Sequence, residues 1–187
     1  MLLRTALRAG ALTFAAALFI SACIQQQPAS DHFVAAVEVP LRTAADRADL
    51  LGMLQRHARD GGLHVDDVSE GQSQFARGVH LESPEANSMI NKTIYVGVWR
   101  GAEDDDLEVL VDDGGHQGRP WLMFLRGKHP DLATKMRVGL LAEIDRRWPE
   151  ARDVPVFPNG SVPGASDLVW TGKAYVVSPT RAPAYGK

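Results

Sequence analysis

Apolar and polar positions along this chain form patterns that predict several short strands. Alternating or continuous apolar runs predict strands at residues 33–39, 63–68, 93–99, 107–112 and 120–126. The linkers between the last three are short and rich in turn-forming residues, so we expect these strands to form an antiparallel meander. In the strands at 93–99 and 120–126, apolar residues occur at both odd and even positions, so both faces of each strand are apolar. We therefore expect cover on both of their faces, by helices on one side and by the long loop or a partner on the other.

Two segments show the spacing of amphipathic helices. Thr43 and Asp46 resemble a capping box at the start of a helix over residues 44–60, and glycines at 61 and 62 supply its end. A second helix is predicted over residues 130–148, with proline at its first position and another proline directly after it. Apolar residues recur at every fourth position of this second helix: Leu132, Met136, Leu140, Ile144 and Trp148.

The rest of the chain lacks such regular patterns. Residues 69–92 are polar and irregular. An ordered loop of this length is more often functional than structural, with disorder as the alternative explanation. After residue 153, prolines and glycines leave room only for short strands at residues 154–157 and 175–177. Together the patterns predict an α+β two-layer sandwich, with an antiparallel-dominated sheet of about five to seven strands and two helices.

The first thirty residues have the layout of a secretory signal. Arg4 and Arg8 precede an uncharged run over residues 9–22, which is shorter than the roughly 20 apolar residues of a membrane-spanning helix. The sequence Phe19-Ile20-Ser21-Ala22-Cys23 resembles the lipobox of bacterial lipoproteins. That resemblance implies cleavage before Cys23, acylation of Cys23 with palmitate-type chains, and stable membrane attachment.

The lipobox resemblance also divides the chain and predicts its location. Residues 1–22 are the predicted signal peptide, 23–31 a lipidated tether, and 32–187 a single α+β domain with an irregular, Pro/Gly-rich C-terminal tail. Because Ile24 and not aspartate follows the cysteine, the resemblance implies sorting to the periplasmic face of the outer membrane. No family resemblance is identified for the domain itself.

Composition narrows the possible functions. Removing residues 1–22 takes away Arg4 and Arg8 and leaves 18 basic and 23 acidic side chains, a net charge of −5. That balance argues against nucleic acid as a partner, since nucleic-acid binding needs a basic surface. Cys23 is the single cysteine of the chain, so no disulfide or cysteine-based metal site is expected, and we predict no cofactor or metal.

Two acidic clusters, at residues 103–106 and 112–116, are the strongest local features of the domain. The clusters lie at the two ends of one predicted strand, about 20 Å apart, and neither has the spacing of a calcium loop. We interpret them mainly as solvated turn charges, with an electrostatic patch for a partner or a weak metal site as the alternatives. Tryptophans are more often core residues than binding residues, but Trp170 and Tyr175 lie in the irregular tail and are a candidate aromatic contact surface. The candidate partner-binding residues are therefore Asp104, Asp105, Asp106, Asp112, Asp113, Trp170 and Tyr175.

The chain contains no nucleophile elbow, zinc-protease motif or phosphate-binding glycine loop, so we predict no catalytic residues. The favoured hypothesis is a non-catalytic envelope lipoprotein that binds one protein partner. Its most concrete form is an immunity protein that neutralises a secreted antibacterial toxin in the periplasm. An alternative is an accessory lipoprotein of an envelope secretion or cell-wall assembly machine. A third is a small hydrolase or metal enzyme that uses His64, which shares a strand face with Asp66, or His116.

Overall fold

The structure is a computed structural model that describes residues 31–71, 94–101, 106–113 and 118–185. Several predictions fall outside the described residues: the signal peptide, lipidated Cys23 and its tether, most of the long loop, Asp104, Asp105 and His116. Within the described part, a six-stranded sheet carries two long helices on one face, and the C-terminal segment forms a separate two-stranded sheet. The predicted α+β sandwich is confirmed.

Both long helices form where the apolar spacing predicts them. Helix α1 (Ala44–Gly61) begins with the predicted capping box: Thr43 Oγ1 accepts a hydrogen bond from the Asp46 amide at 3.1 Å, and the Asp46 carboxylate accepts one from the Thr43 amide at 2.9 Å. Gly62 ends α1 in the left-handed region with φ 67°. Helix α2 (Pro130–Arg147) ends where the Trp148 amide donates to the carbonyl of Ile144.

The apolar stripe predicted for α2 is wrong at Leu132. Leu132 is exposed, and Ala133 takes the buried position in the first turn. An α-helix has 3.6 residues per turn, so residues spaced four apart shift progressively around the helix. Residues spaced seven apart, which is nearly two turns, stay closer to one face. Ala133 and Leu140 are separated by seven residues. The other four residues of the stripe are buried as predicted: Met136, Leu140, Ile144 and Trp148.

The strands of the main sheet are β1 (Phe33–Glu38), β2 (His64–Asp67), β3 (Tyr95–Arg100), β4 (Asp106–Asp112), β5 (Trp121–Leu125) and β6 (Arg152–Val154). They lie in the order β2-β3-β4-β5-β1-β6, and each pairing is antiparallel. Adjacent β3, β4 and β5 form the predicted meander. The strand that was predicted at residues 154–157 instead covers residues 152–154, as β6, and it pairs with β1.

The main core lies between the sheet and the helices. Its fully buried side chains include Leu50 and Leu54 of α1, Leu140 and Ile144 of α2, and Phe124 of β5. Valines of β3 and β4 complete the sheet side of this layer. Burial of these aliphatic side chains against one another is the dominant favourable contribution to folding.

The second face of the sheet is covered in part by the C-terminal segment. Strands β7 (Leu168–Trp170) and β8 (Tyr175–Val177) form a hairpin, preceded by a 3-10 turn at Ala165–Asp167 and followed by the short helix α3 (Ala182–Tyr185). Strand β8 was predicted, whereas β7 was not. A second apolar cluster joins this segment to the sheet: Ala36, Trp121, Met123 and Val154 are buried, and Val156, Val162, Leu168 and Tyr175 pack against them. The cover expected for strand 120–126 is thus supplied by the chain's own C-terminal segment.

Candidate functional site

A fully buried carboxylate anchors the most elaborate polar cluster in the described structure. Glu38 is the last residue of β1, opposite Trp121 of β5 and Arg152 of β6, and its side chain is 0 % exposed. Arg119 Nε donates to Glu38 Oε1 at 2.5 Å, and the Tyr175 hydroxyl donates to Oε2 at 2.7 Å. These bonds compensate for the loss of hydration of a buried charge.

The guanidinium of Arg152 connects this carboxylate to the aromatic side chains of the hairpin. Its Nη1 lies 3.9 Å from Glu38 Oε1, and its Cζ lies 4.1 Å from the centre of the Trp170 ring, a cation–π geometry. The Trp170 and Tyr175 rings meet edge to face at 5.1 Å. We call these five side chains the arginine–aromatic cluster: Glu38, Arg119, Arg152, Trp170 and Tyr175.

Three members of the arginine–aromatic cluster, Arg152, Trp170 and Tyr175, line a shallow cleft of about 310 Å³, which Asp153 and Lys173 also line. Burial raises the pKa of Tyr175, and its hydrogen bond to Glu38 raises that pKa further. The hydroxyl therefore remains a protonated donor at neutral pH. The cleft offers a cation, a phenol and an indole, which are groups of molecular recognition, and contains no activated nucleophile.

The outer face of the same hairpin is apolar. Val169 and Val176 are directly opposite each other in the β7–β8 register, and they are 48 % and 43 % exposed. Their neighbours Trp170 and Tyr175 point the other way, because successive side chains of a strand alternate between its faces. We call this pair of valines the hairpin ridge.

Asp106 is not the solvated turn charge that its acidic neighbours suggested. It is 5 % exposed, and its Oδ1 accepts a hydrogen bond from the Lys128 amide at 2.8 Å. A bulge in β4 explains the difference: Val98 pairs with Val109 and Trp99 with Leu107, which leaves Glu108 as the extra residue. Asp106 is thus an internal cap of the loop before α2, and we leave it out of the proposed partner surface.

The remaining acidic candidates for partner binding, Asp112 and Asp113, do not form one surface with the aromatic candidates Trp170 and Tyr175. Asp112 and Asp113 are half-buried at the other end of β4, separated from Asp106 by the length of the strand. Trp170 and Tyr175 come together as predicted, but they pack inward on Arg152 and Glu38 and do not form an exposed aromatic face. Both are only half-buried, so their outer edges still line the cleft.

The histidines of the described chain show no catalytic arrangement. His64 and Asp66 are exposed on β2, at the edge of the sheet. His57 of α1 lies 3.0 Å from the Glu143 carboxylate of α2, so this contact joins the two helices. Across residues 31–71, 94–101, 106–113 and 118–185, no group of three or more His, Cys, Asp or Glu side chains is placed to hold a metal ion.

Comparisons with protein-family models, with curated proteins and with solved structures find no match for this chain. None of the helices in the described part combines the length and the apolar character needed to cross a bilayer.

Sequence reasoning missed Glu38, Arg119 and Arg152. One signal was present for Glu38, which is a carboxylate inside the apolar run Phe33 to Val39 and therefore needs a buried partner. The partners could not be predicted, because Arg119 and Tyr175 are 81 and 137 residues away along the chain.

Proposed function

We propose that this chain is a lipid-anchored envelope protein that binds one protein partner through its C-terminal hairpin. The observation that carries the proposal is a hairpin that has the exposed hairpin ridge on its outer face and a cleft lined by Arg152, Trp170 and Tyr175 on its inner side. Trp, Tyr and Arg are the side chains enriched at the energetic centres of protein interfaces. The other face of the hairpin is held on the sheet by Glu38, so the ridge is presented on a rigid support.

The chemistry of this surface favours binding over catalysis. The apolar ridge on the outer face of the hairpin suits an apolar side chain of a partner, and the cleft on the inner side, lined by Arg152, Asp153 and Lys173, suits charged or polar groups of that partner. Asp104 and Asp105 remain predicted contacts for a basic part of the partner. The most concrete form of the proposal is an immunity protein that neutralises a secreted antibacterial toxin in the periplasm, since such inhibitors are small, membrane-tethered and non-catalytic.

The anchor is tested by replacing Cys23. In cells fed labelled palmitate, the natural chain is expected to incorporate label and to sediment with outer membranes, because two or more acyl chains hold a protein stably on a bilayer. A Cys23→Ala variant is expected to do neither. Incorporation of label by the Cys23→Ala variant, or an unlabelled natural chain, would contradict lipidation at this residue.

The partner surface is tested with Val169→Asp and Val176→Asp, each measured as a single variant. Val138→Asp is the matched control, because Val138 is a 60 % exposed valine on α2. Affinity for the partner isolated from the envelope should fall at least tenfold in both hairpin variants, since a buried valine contributes about 1.5–3 kcal/mol. It should be unchanged in the control. Protection of cells against a toxin encoded beside this gene should be lost in the same two variants, and unchanged affinity in them would contradict the proposal.

A further inference from the structure

The N-terminal segment joins the domain at one end of the main sheet. The Phe33 amide donates to the carbonyl of Gly160 at 3.0 Å, and the Arg126 amide donates to that of His32 at 2.9 Å. These two hydrogen bonds fix the chain to the domain at residues 32 and 33, so the predicted tether over residues 23–31 meets the folded body here. We call this end of the sheet, where β1 begins and β5 ends, the anchor end.

The arginine–aromatic cluster lies at the opposite end of the sheet, which we call the distal end. Glu38 is the last residue of β1, and its carboxylate accepts the hydrogen bond of the Tyr175 hydroxyl at 2.7 Å. Arg152, opposite Glu38 on β6, stacks on Trp170. A strand rises about 3.3 Å per residue, so the chain from His32 to Glu38 places this cluster about 20 Å from the anchor end.

The hairpin is aligned along the same axis, with its base toward the anchor end. Asp167, directly before β7, accepts a hydrogen bond from the Tyr185 hydroxyl at 2.5 Å, and the Tyr185 ring stacks on that of Phe157 at 4.8 Å. The carbonyl of Phe157 accepts a hydrogen bond from the amide of Gly160, which also holds the start of β1. The turn at residues 171–174 therefore lies at the distal end, beside the cleft.

The two long helices show how far apart the two ends are. His129, the N-cap of α2, follows closely after Arg126 at the anchor end. In the last turn of α2, Arg147 donates to Asp49 at 2.7 Å, near the start of α1, and α1 begins a few residues after Glu38. The 18 residues of α2 rise about 1.5 Å each and span about 27 Å. The anchor end and the distal end are therefore about 20–27 Å apart.

The predicted tether is comparable in length with the domain. The chain from Cys23 to His32 reaches about 30 Å at most, when it is fully extended. An anchored chain starts at the bilayer surface, and the folded domain stays outside the hydrocarbon. On average the anchor end therefore faces the lipid, and the distal end faces the aqueous phase.

The polar groups at the distal end suit aqueous surroundings. Arg152, Asp153 and Lys173 line the cleft. Moving charged side chains into the hydrocarbon of a bilayer is costly, so a contact inside the membrane is disfavoured here. Given the proposed lipid anchor and partner surface, on which this inference rests, we propose that the hairpin turn and the cleft face away from the bilayer and that the partner is a water-soluble protein.

Energy transfer from the chain to lipid head groups tests the orientation. The full chain, acylated in cells and purified in a mild detergent, is reconstituted into phosphatidylethanolamine–phosphatidylglycerol vesicles that carry an acceptor dye on the head groups. Cys23 is the single cysteine of the natural chain, and acylation blocks its sulfur, so an introduced cysteine is the thiol that takes the donor dye. His129→Cys labels the anchor end, Val138→Cys the middle of α2 and Lys173→Cys the hairpin turn, all at exposed positions.

Transfer should be strongest from residue 129, intermediate from residue 138 and weakest from residue 173. The label at residue 173 should lie at least about 10 Å farther from the head groups than the label at residue 129, which is half of the separation along β1 because tilting of the domain reduces the difference. Equal transfer from residues 129 and 173, or stronger transfer from residue 173, would overturn the orientation. Failure of all three labelled chains to stay with the vesicles would instead contradict the anchor itself.

Photo-crosslinking in living cells tests the class of partner. A photoreactive phenylalanine analogue is placed at residue 173 and, as the control, at the exposed residue 129 of the anchor end. Residue 173 should give one crosslinked species, in which mass spectrometry identifies a protein without membrane-spanning segments, and residue 129 should not give it. A crosslinked peptide within or beside a membrane-spanning segment would overturn the proposal. A crosslink at residue 176 without one at residue 173 would leave the partner surface in place and overturn only this inference.

Discussion

Replacing Glu38 by glutamine removes the negative charge on which Arg119 and Tyr175 converge. The carboxylate is 0 % exposed, Arg119 Nε lies 2.5 Å from it, and the Tyr175 hydroxyl lies 2.7 Å from it. Removing one partner of a buried ion pair costs about 3–5 kcal/mol, and because part of the Arg119 side chain is exposed we expect the lower end, about 3 kcal/mol. For a domain of this size, that corresponds to a Tm lower by roughly 6–12 °C.

The companion variant Tyr175→Phe removes only the phenol donor. A hydrogen bond to a charged group contributes about 1.5–3 kcal/mol, whereas the same bond to a neutral amide contributes about 1 kcal/mol. The Tyr175→Phe replacement should therefore be less destabilising in the Glu38→Gln background, by about 1 kcal/mol. Urea unfolding of the four chains of this double-mutant cycle, followed by far-UV circular dichroism, measures the difference. Additive effects, or a Glu38→Gln chain within about 1 kcal/mol of the natural one, would show that the cluster does not hold the hairpin on the sheet.

Three further predictions concern other parts of the fold. Gly160→Ala should lower the free energy of unfolding by about 1 kcal/mol or more in thermal melts, because Gly160 has φ 77° and an added Cβ would overlap the His32 side chain; an unchanged Tm would contradict this. Thr43→Ala should cost about 1 kcal/mol in urea unfolding through loss of the capping box, and a loss below about 0.3 kcal/mol would argue against it. Burial raises the pKa of Glu143, but hydrogen bonds led by that from His57 outweigh this and lower it from the ordinary 4.5. The ionised Glu143 side chain therefore stabilises the fold above pH 4.5, and this contribution is lost as the pH falls through the lowered pKa. Between about pH 5 and pH 3, the free energy of unfolding should fall less in the Glu143→Gln variant than in the natural chain. An equal fall in both chains would refute the assignment.

Local patterns were sufficient to predict most elements of this fold. Helix α1 begins at Ala44 as expected, because its capping box and glycine stop are encoded within a few residues of each end. The strands of the meander lie within two residues of their predicted bounds for the same reason. Strand β7 was missed because it is only three residues long and lies between Pro163-Gly164 and Gly172, and its described strand partner is β8.

Long-range contacts set the limits of prediction for the candidate site. Trp170 and Tyr175 were identified as a pair, but their inward orientation depends on Arg152 and Glu38, which pattern analysis did not single out. The excess of apolar strand surface was recognised from the sequence. The nature of its cover was not, since an irregular segment rich in proline and glycine carries little periodicity from which its packing can be predicted.

Photo-crosslinking in living cells can detect contact between the hairpin ridge and a protein partner. A photoreactive phenylalanine analogue is placed at Val176 and, as the matched control, at the exposed Val138 of α2. We expect one discrete crosslinked species at position 176 that contains a single envelope or secreted protein by mass spectrometry, and no such species at position 138. The absence of a crosslink at position 176, or the same species at both positions, would contradict it.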